Sequence, residues 1–392
     1  MLLTKLILLI SLLTIFYSYI GYGILLWLLI KVRNIFQKTF HPKNRDFKYY
    51  PVSLIIAALN EEKIISEKIE NSLSLDYPKE LLQIIIICDG STDSTFEIAS
   101  SYNDLLVLHQ AKREGKIAAI HRAMKFAKNP IIIFSDANTL LNNSSIKKIV
   151  RHYDSPIVGG VAGEKKLSTP SSNSTVGSGE SLYWKYESLL KKLDSDFYTV
   201  VGAAGELFSI RKELYEYPGD NILLDDFIIS LKICQRGFRV LYEPEAYAIE
   251  DPSLSLKEEK KRKIRISAGG FQSIIVMRSL LNIFKYPKLS FQYISHRVLR
   301  WTICPLLLPF VFITNLILAL KAEDYFYKIL LACQISFYSL AIIGWVLSKL
   351  KSNYKLFYGP YYFVFINISL YQGFYRFLKG NQTVLWEKAE RS

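Results

Sequence analysis

Cysteine is scarce in this sequence. Its 392 residues include four cysteines, Cys88, Cys234, Cys304 and Cys333, and no two of them have CxxC spacing. This pattern argues against a zinc site and fits a reducing compartment. The chain also has no internal repeat and little low complexity. Only the serine- and glycine-rich segment 168–181 predicts a flexible loop.

Charge is missing from four long stretches. Residues 6–30 form an uncharged run of 25, and residues 301–320, 329–348 and 356–375 form runs of 20 each. About 20 apolar residues cross a bilayer as a helix, so we expect four membrane spans. The first run is too long for a signal-peptide core and lacks a cleavage site, which predicts a retained anchor. Burial in a core is the alternative, most of all for the last run, with Pro360, Asn367 and Gln372.

Acidic residues are outnumbered. Lys and Arg total 49 against 35 Asp and Glu, a net charge of +14. Anionic partners follow from this excess: lipid head groups, phosphorylated substrates or nucleic acid. Basic clusters follow the first uncharged run, precede the second and separate the last two. Because positive loops stay in the cytoplasm, we expect a multi-pass protein of the cell membrane with residues 31–300 cytoplasmic. The side on which the C-terminus lies stays open.

Four apolar runs of strand length occupy residues 52–59, 83–88, 105–109 and 131–135. Helix-like stretches lie between them at 61–73, 94–102 and 116–128. Continuous apolar strands that alternate with helices predict an α/β fold, with a parallel sheet covered on both faces. Such sheets bind ligands at the carboxyl ends of their strands.

Acidic and amide side chains follow three of these strands. The segments are "NEE" at 60–62, "DGSTD" at 89–93 and "SDAN" at 135–138. Any one of them could be a helix cap, but three at one edge favour a ligand site. Mg²⁺ takes one or two carboxylates together with substrate phosphate oxygens, so metal-bound phosphate is the expected guest. Arg113 and Lys116 flank Gly115 in a basic turn that suits a diphosphate.

Five segments occur in a recognisable order: "SLIIAALNEE", "CDGSTDST", "REGKIAA", "SDANT" and "LDDF". Together they resemble the family 2 glycosyltransferases over residues 50–300. The pattern is similar to membrane-bound synthases of poly-N-acetylglucosamine, hyaluronan and cellulose. The resemblance implies the GT-A nucleotide-sugar fold with flanking transmembrane helices. It also implies sugar transfer with inversion, from a nucleotide donor such as a UDP-sugar to a polysaccharide or lipid-linked acceptor. The expected partners also include membrane lipids, and no nucleic acid.

The resemblance implies a role for each candidate residue. The donor site would contain Asn60, Glu62, Asp89, Arg113, Lys116 and Asp136, with Asp89 on the uracil ring. Mg²⁺ or Mn²⁺ would lie on Asp136, the first acid of an Asp-x-Asp motif. Asn138 replaces the second acid and would be a weaker, neutral ligand.

The "LDDF" segment supplies the expected base. Asp226 matches the residue that takes the proton of the acceptor hydroxyl as it attacks. Asp225 is either an acceptor-side residue or a helix cap. The other residues expected near acceptor or diphosphate are Gly205, Arg262 and Arg265. Polymerising members carry Gln-x-x-Arg-Trp at the aligned place, where this chain has Ile266. A later "RVLRW", 297–301, is typical of a bilayer interface.

The predicted organisation has five parts. They are an anchor at 1–31, a GT-A domain at 50–266, interfacial amphipathic helices at 267–300, three transmembrane helices at 301–378 and a tail at 379–392. A nucleotidyltransferase is an alternative, although no glycine-rich loop follows the first strand. A non-catalytic membrane scaffold or a transporter is another, although the spans lack the ionisable residues of a transport pathway. The sequence identifies neither the sugar nor the acceptor, and it leaves processivity open.

Overall fold

A computed structural model describes residues 1–36, 47–168, 175–253, 255–350 and 355–380. The strands in these ranges are β1 Val52–Ala58, β2 Leu82–Asp89, β3 Leu106–Gln110, β4 Ile131–Asp136, β5 Thr139–Leu141, β6 Val158–Leu167, β7 Leu207–Arg211 and β8 Arg239–Glu250. The helices are α1 Leu2–Phe36, α2 Ile65–Leu73, α3 Thr95–Ser100, α4 Lys116–Met124, α5 Ser145–Val150, α6 Thr175–Phe197, α7 Asp225–Gln235, α8 Leu256–Val276, α9 Pro287–Tyr293, α10 Leu299–Trp301, α11 Ile303–Lys321, α12 Tyr325–Lys349 and α13 Lys355–Leu378.

The described strands form one mixed sheet in the order β3-β2-β1-β4-β7-β6-β8-β5. Strands β1 to β4 are parallel, as the sequence predicts. Strand β7 runs antiparallel to β4 and β6. The register pairs Ala57 with Ile87 of β2 and with Asp136 of β4. The carboxyl ends of these three central strands therefore lie side by side.

Isoleucine-rich strands build a core on each face of the sheet. One core packs β1, β2 and β4 against α4 and α7, and the other packs the opposite face against α2, α3 and α5. The strands match the four predicted runs to within a residue or two at each end. Helix α6 begins at Thr175, so the predicted loop is wrong for residues 175–181. Composition is a weak guide there because tertiary context overrides propensity. Residues 169–174 lie outside the described ranges.

In the described ranges, three helices are long and apolar enough to cross a membrane: α1, α11 and α12. Helix α13 has 24 residues and covers the fourth uncharged run, but it does not join this group. Its Gly373 lies so close to α8 that a Cβ would be 2.4 Å from the Cβ of Ser267. Whether α13 crosses a membrane stays a prediction.

The predicted boundary between residues 266 and 267 falls inside α8, which runs without a break from Leu256 to Val276. Much of α8 is covered by α13. Beyond α8 the chain exposes apolar side chains, including Ile283, which is 50 % exposed, and Phe284, which is 92 % exposed. These exposed residues retain the character expected of an interfacial segment.

A buried polar cluster joins α1 to the domain. The Tyr22 hydroxyl donates to Asp194 of α6. The Nδ1 atom of His296 lies 2.5 Å from the other oxygen of Asp194. Glu187, two turns before Asp194 on the same face of α6, accepts from Arg297 at 3.0 Å and pairs with Arg300 at 2.8 Å. Three separate parts of the chain thus share one set of buried charges.

Candidate active site

Three charged groups converge around Gly205. A Cβ added to Gly205 would lie 2.8 Å from Nζ of Lys116, 3.3 Å from Oδ2 of Asp226 and 3.8 Å from Oδ1 of Asp136. Lys116 also forms an ion pair with Asp136. Asp136 ends β4, Lys116 begins α4 and Asp226 lies in the first turn of α7. The structure therefore brings together residues from three separate motifs that are up to 110 positions apart in the sequence. Gly205 has no side chain to occupy the space between them.

The environment of Asp226 favours its protonated form. Burial raises the pKa of Asp226 to about 7, the negative charge of Asp225 adds to this, and Lys116 opposes it. The backbone N–H of Phe227 donates to Asp226 at 2.8 Å. A carboxylate whose pKa lies near neutrality can accept a proton and release it again at physiological pH.

The other two groups, Asp136 and Lys116, shift each other's pKa. Burial raises the pKa of Asp136, and Lys116 works against that rise. Burial lowers the pKa of Lys116, but the carboxylates of Asp136, Asp225 and Asp226 outweigh burial and raise it overall. Lys116 therefore stays an ammonium in the middle of the acidic site, where it can bind an anionic ligand.

Asp225 is not a helix cap. Leu224 occupies the cap position of α7, and no side-chain hydrogen bond closes that end. The carboxylate of Asp225 is buried, and its Oδ2 has no hydrogen-bond partner among the described residues. A negative charge in the first turn is favoured by the helix dipole, which offsets part of the cost of burial.

Asp89 holds the basic turn in place. Its carboxylate is fully buried and accepts from the N–H groups of Glu114 at 3.1 Å and Gly115 at 2.6 Å. It also pairs with Arg122. Gly115 has a φ of 100°, which places Lys116 at the start of α4. The structure thus shows Asp89 fixing the approach of Lys116, and its contact with a uracil ring stays a prediction.

Asn60 and Glu62, both predicted donor-site residues, bind the loop that follows β2. The side-chain oxygen of Asn60 accepts from the backbone N–H of Thr92 at 2.8 Å. The backbone N–H of Asn60 donates to the hydroxyl of Ser91 at 3.1 Å. Glu62 accepts from the N–H of Ser94 at 3.3 Å. These bonds join the ends of β1 and β2. Contact of either residue with a nucleotide stays a prediction.

Arg113 lies in the same basic turn. A Cβ added to Gly90, whose φ is 70°, would be 2.8 Å from the Cα of Arg113. The "DGSTD" loop and the basic turn are therefore in direct backbone contact. This packing needs glycine at position 90, both for its left-handed conformation and for its lack of a side chain.

The two arginines of α8 differ. Arg262 binds the buried Glu259, with Nε 2.9 Å from Oε2. Arg265 forms no ion pair among the described residues. Burial and the nearby Arg262 lower the pKa of Arg265, while Asp225, Asp136 and Asp226 oppose this. Arg265 therefore lies within electrostatic reach of the acidic site, whereas Arg262 is paired with Glu259.

Trp301 packs against the glycosyltransferase domain in a way that the sequence does not predict. Its ring lies 5.4 Å from that of Phe227, the residue after the expected base. A Cβ on Gly270 would be 2.9 Å from the same indole ring. The indole thus packs against the first turn of α7, and its position at a bilayer interface stays a prediction. The Arg-Trp pair was visible in the sequence, but its partner Phe227 was not.

Asn138 lies two residues after Asp136, just beyond the carboxyl end of β4. Its Nδ2 donates to Oε1 of Glu250 at 3.1 Å. Over the described ranges, no group of three or more His, Cys, Asp or Glu side chains is arranged to hold a metal ion. Any ion here would rest on Asp136, the Asn138 amide and oxygens from outside the protein.

Comparison with known proteins relates this chain to a glycosyltransferase family. Residues 53–217 match the family model described as glycosyl transferase family 2. The chain is 25 % identical over 245 residues to the poly-beta-1,6-N-acetyl-D-glucosamine synthase of Staphylococcus aureus strain COL, covering 60 % of this chain and 57 % of that protein. The synthase of Staphylococcus epidermidis is 23 % identical over 263 residues, covering 65 % of this chain and 62 % of the relative. This chain therefore spans less than two thirds of the length of either relative.

A solved structure shares the fold. The mannosyltransferase PcManGT from Pyrobaculum calidifontis, solved with GDP-Man and Mn²⁺, superimposes with a TM-score of 0.70. The match covers 97 % of this chain and 100 % of that chain, at 19 % identity. At this identity the likeness shows the fold alone. With the motifs in order and the family match, residues 53–217 belong to a domain of the glycosyl transferase family 2 type, and the fold is GT-A.

Proposed function

We propose that this glycosyltransferase is membrane-bound and inverting. It moves a sugar from a nucleotide diphosphate donor, a UDP-sugar, to a hydroxyl of a polysaccharide or lipid-linked acceptor. The observation that carries the proposal is the position of Asp226, whose pKa is raised to about 7 and which lies beside Asp136 and Lys116 around Gly205.

The chemistry follows from these positions. Inverting transfer is one in-line displacement at the anomeric carbon. Asp226 takes the proton of the acceptor hydroxyl as its oxygen attacks. On the opposite face the diphosphate leaves with growing negative charge, which Lys116 and Arg265 stabilise. No covalent intermediate is needed, so one carboxylate base suffices.

The residues present fit a divalent cation. Mg²⁺ or Mn²⁺ takes one or two protein oxygens and completes its shell with phosphate and water. Asp136 offers a carboxylate and Asn138 an amide oxygen, and the neighbour PcManGT was solved with Mn²⁺. A bound cation would neutralise charge on the leaving diphosphate.

The membrane location rests on α1, α11 and α12. We propose that these helices cross the cell membrane and that the GT-A domain faces the cytoplasm, where the basic clusters next to the spans lie. The exposed apolar residues after α8 would then rest at the membrane surface.

The substitution Asp226→Asn tests the proposal. It keeps the shape of the side chain but removes the base, so transfer should fall by about 10²- to 10⁴-fold while UDP binding persists. Purified full-length protein would be assayed for UDP release and labelled product with a panel of nucleotide sugars, and for UDP binding by calorimetry. Asp104→Asn, at an exposed position before β3, is the matched control and should be unchanged. Equal loss of binding and turnover in Asp226→Asn would refute the assigned role.

A further inference from the structure

The amide at position 138 raises a question of orientation. A carboxylate offers an acceptor oxygen whichever way it turns, but an amide has an oxygen at one end and an NH₂ group at the other. An asparagine can ligate a cation only if its oxygen faces the ion. Some neighbour must therefore hold the Asn138 amide in one of its two orientations.

Glu250 is that neighbour. Its Oε1 lies 3.1 Å from Nδ2 of Asn138. An ionised carboxylate can only accept hydrogen bonds, so the NH₂ end of the amide must face Glu250 and the oxygen must face away. Antiparallel pairing of Thr139 with Glu250, at the meeting of β5 and β8, sets this contact. Only 3 % of Glu250 is exposed, so water does not compete for the bond.

Lys165 holds Glu250 in place by an ion pair. Its ammonium pairs with Oε2, the second oxygen of Glu250, and lies 2.9 Å from Oε1 of Glu206. Lys165 is itself buried, on β6. Oε1 of Glu250 thus accepts a hydrogen bond from Asn138, while Oε2 is in the ion pair with Lys165. Because Glu206 follows Gly205 in the sequence, the contacts that run from Asn138 through Glu250 and Lys165 end next to the acidic site.

We propose that Glu250, held by Lys165, is a positioning residue that turns the Asn138 amide oxygen toward the Asp136 site and so lets a neutral side chain ligate the divalent cation. This deepens the proposed function and rests on its use of a metal. The Glu250–Lys165 pair acts through Asn138 and has no contact of its own with the ion.

Glu250→Gln separates the orientation of the amide from the shape of the site. The replacement has one acceptor oxygen for two donors, and the ammonium of Lys165 will claim it. The new NH₂ group then faces Asn138, whose amide turns over and presents NH₂ to the cation. Loss of an outer partner of this kind costs about 10- to 100-fold in metal affinity, and we expect a loss in that range.

Asn138→Asp gives the complementary test. Alone, it places two carboxylates against each other at the position of the present hydrogen bond, so Mn²⁺ affinity should not exceed that of the wild type. In the double variant Asn138→Asp with Glu250→Gln, the new NH₂ donates to the new carboxylate. Affinity should then recover at least to the wild-type value, and the two substitutions should be strongly non-additive.

Mn²⁺ binding to the full-length protein in the presence of UDP, followed by electron paramagnetic resonance of free Mn²⁺, is the primary measurement. The metal dependence of turnover would show whether the apparent KM for Mn²⁺ changes more than kcat. Glu243→Gln is the matched control, because Glu243 is a buried glutamate of the same strand that binds Arg151 and His152. It should lose stability without losing Mn²⁺.

Unchanged Mn²⁺ affinity in Glu250→Gln would overturn the inference, as would an equal loss in Glu243→Gln or strict additivity in the double variant. The proposed function fails separately. If the wild type binds Mn²⁺ with UDP but transfers no sugar, the orientation of Asn138 survives and the proposed reaction does not. If the wild type transfers sugar equally well without divalent metal, the reaction survives and the inference does not.

Discussion

The rate of transfer should depend on pH through the ionisation of Asp226, and the charges next to Asp226 should set the midpoint of that pH dependence. A general base works only when ionised, so activity is present above its pKa and is lost as pH falls through it. With a pKa of about 7, about nine tenths of Asp226 is ionised at pH 8 and about one tenth at pH 6. We therefore expect kcat to fall about tenfold between these two values.

Asp225 offers a way to move that midpoint without touching the base. Its negative charge helps to raise the pKa of Asp226, so Asp225→Asn should lower the midpoint, by about one pH unit for the loss of a like charge on the adjacent residue. Lys116→Met removes a cation that lowers the same pKa and should shift the midpoint upward. The measurement is kcat at saturating donor, acceptor and metal across the pH range, with UDP release as the readout.

Opposite shifts in these two variants would be hard to obtain by any route other than the charge around Asp226. A pH profile that is flat between 6 and 8 in the wild type, or a midpoint that moves the same way in both variants, would refute the reasoning. Because Lys116 also faces the diphosphate site, its variant should show a raised KM for the donor as well. Asp225→Asn should change KM little.

Three further outcomes are expected. Asp89→Asn should remove the buried carboxylate that binds Arg122 and the N–H groups of Glu114 and Gly115, leaving Arg122 paired with Glu114 alone. We expect it to lower the free energy of unfolding by about 3 kcal/mol, seen as a lower Tm, and to weaken UDP binding; a normal Tm would contradict the role of Asp89 in holding the basic turn. Gly205→Val should fill the space beside Asp226 and cut turnover about 100-fold with Tm nearly unchanged. Trp301→Ala should remove the support behind α7, lowering stability by about 3 kcal/mol and kcat more than UDP affinity.

The parallel half of the sheet was readable from the sequence because buried strands leave an unmistakable pattern. Runs such as "QIIIIC" and "IIIFS" are too short and too apolar for surface helices, and they are followed by turn residues. The acids at their ends could be placed at one edge from topology alone. Strands β6 to β8 were not predicted, since they mix charged and small residues and run antiparallel in part.

What the sequence could not give is contact between distant segments. Nothing in "RVLRW" says that Trp301 meets Phe227, and nothing in "SDAN" says that Asn138 meets Glu250. These pairs are 74 and 112 positions apart, and only the folded sheet and helices bring them together. Nor could the apolar runs show that α13 packs closely against α8.

The bond between Tyr22 and Asp194 has a practical consequence. Helix α1 has 35 residues and is about 52 Å long, well beyond the roughly 30 Å of a bilayer's hydrocarbon core. Its second half, which contains Tyr22, packs against α6, so the helix that we propose as an anchor is also part of the folded domain. Cutting the chain after α1 to obtain a water-soluble catalyst would strip Asp194 and His296 of their cover. Such a fragment should aggregate or lose activity, and detergent extraction of the whole chain is the sounder route to a working enzyme.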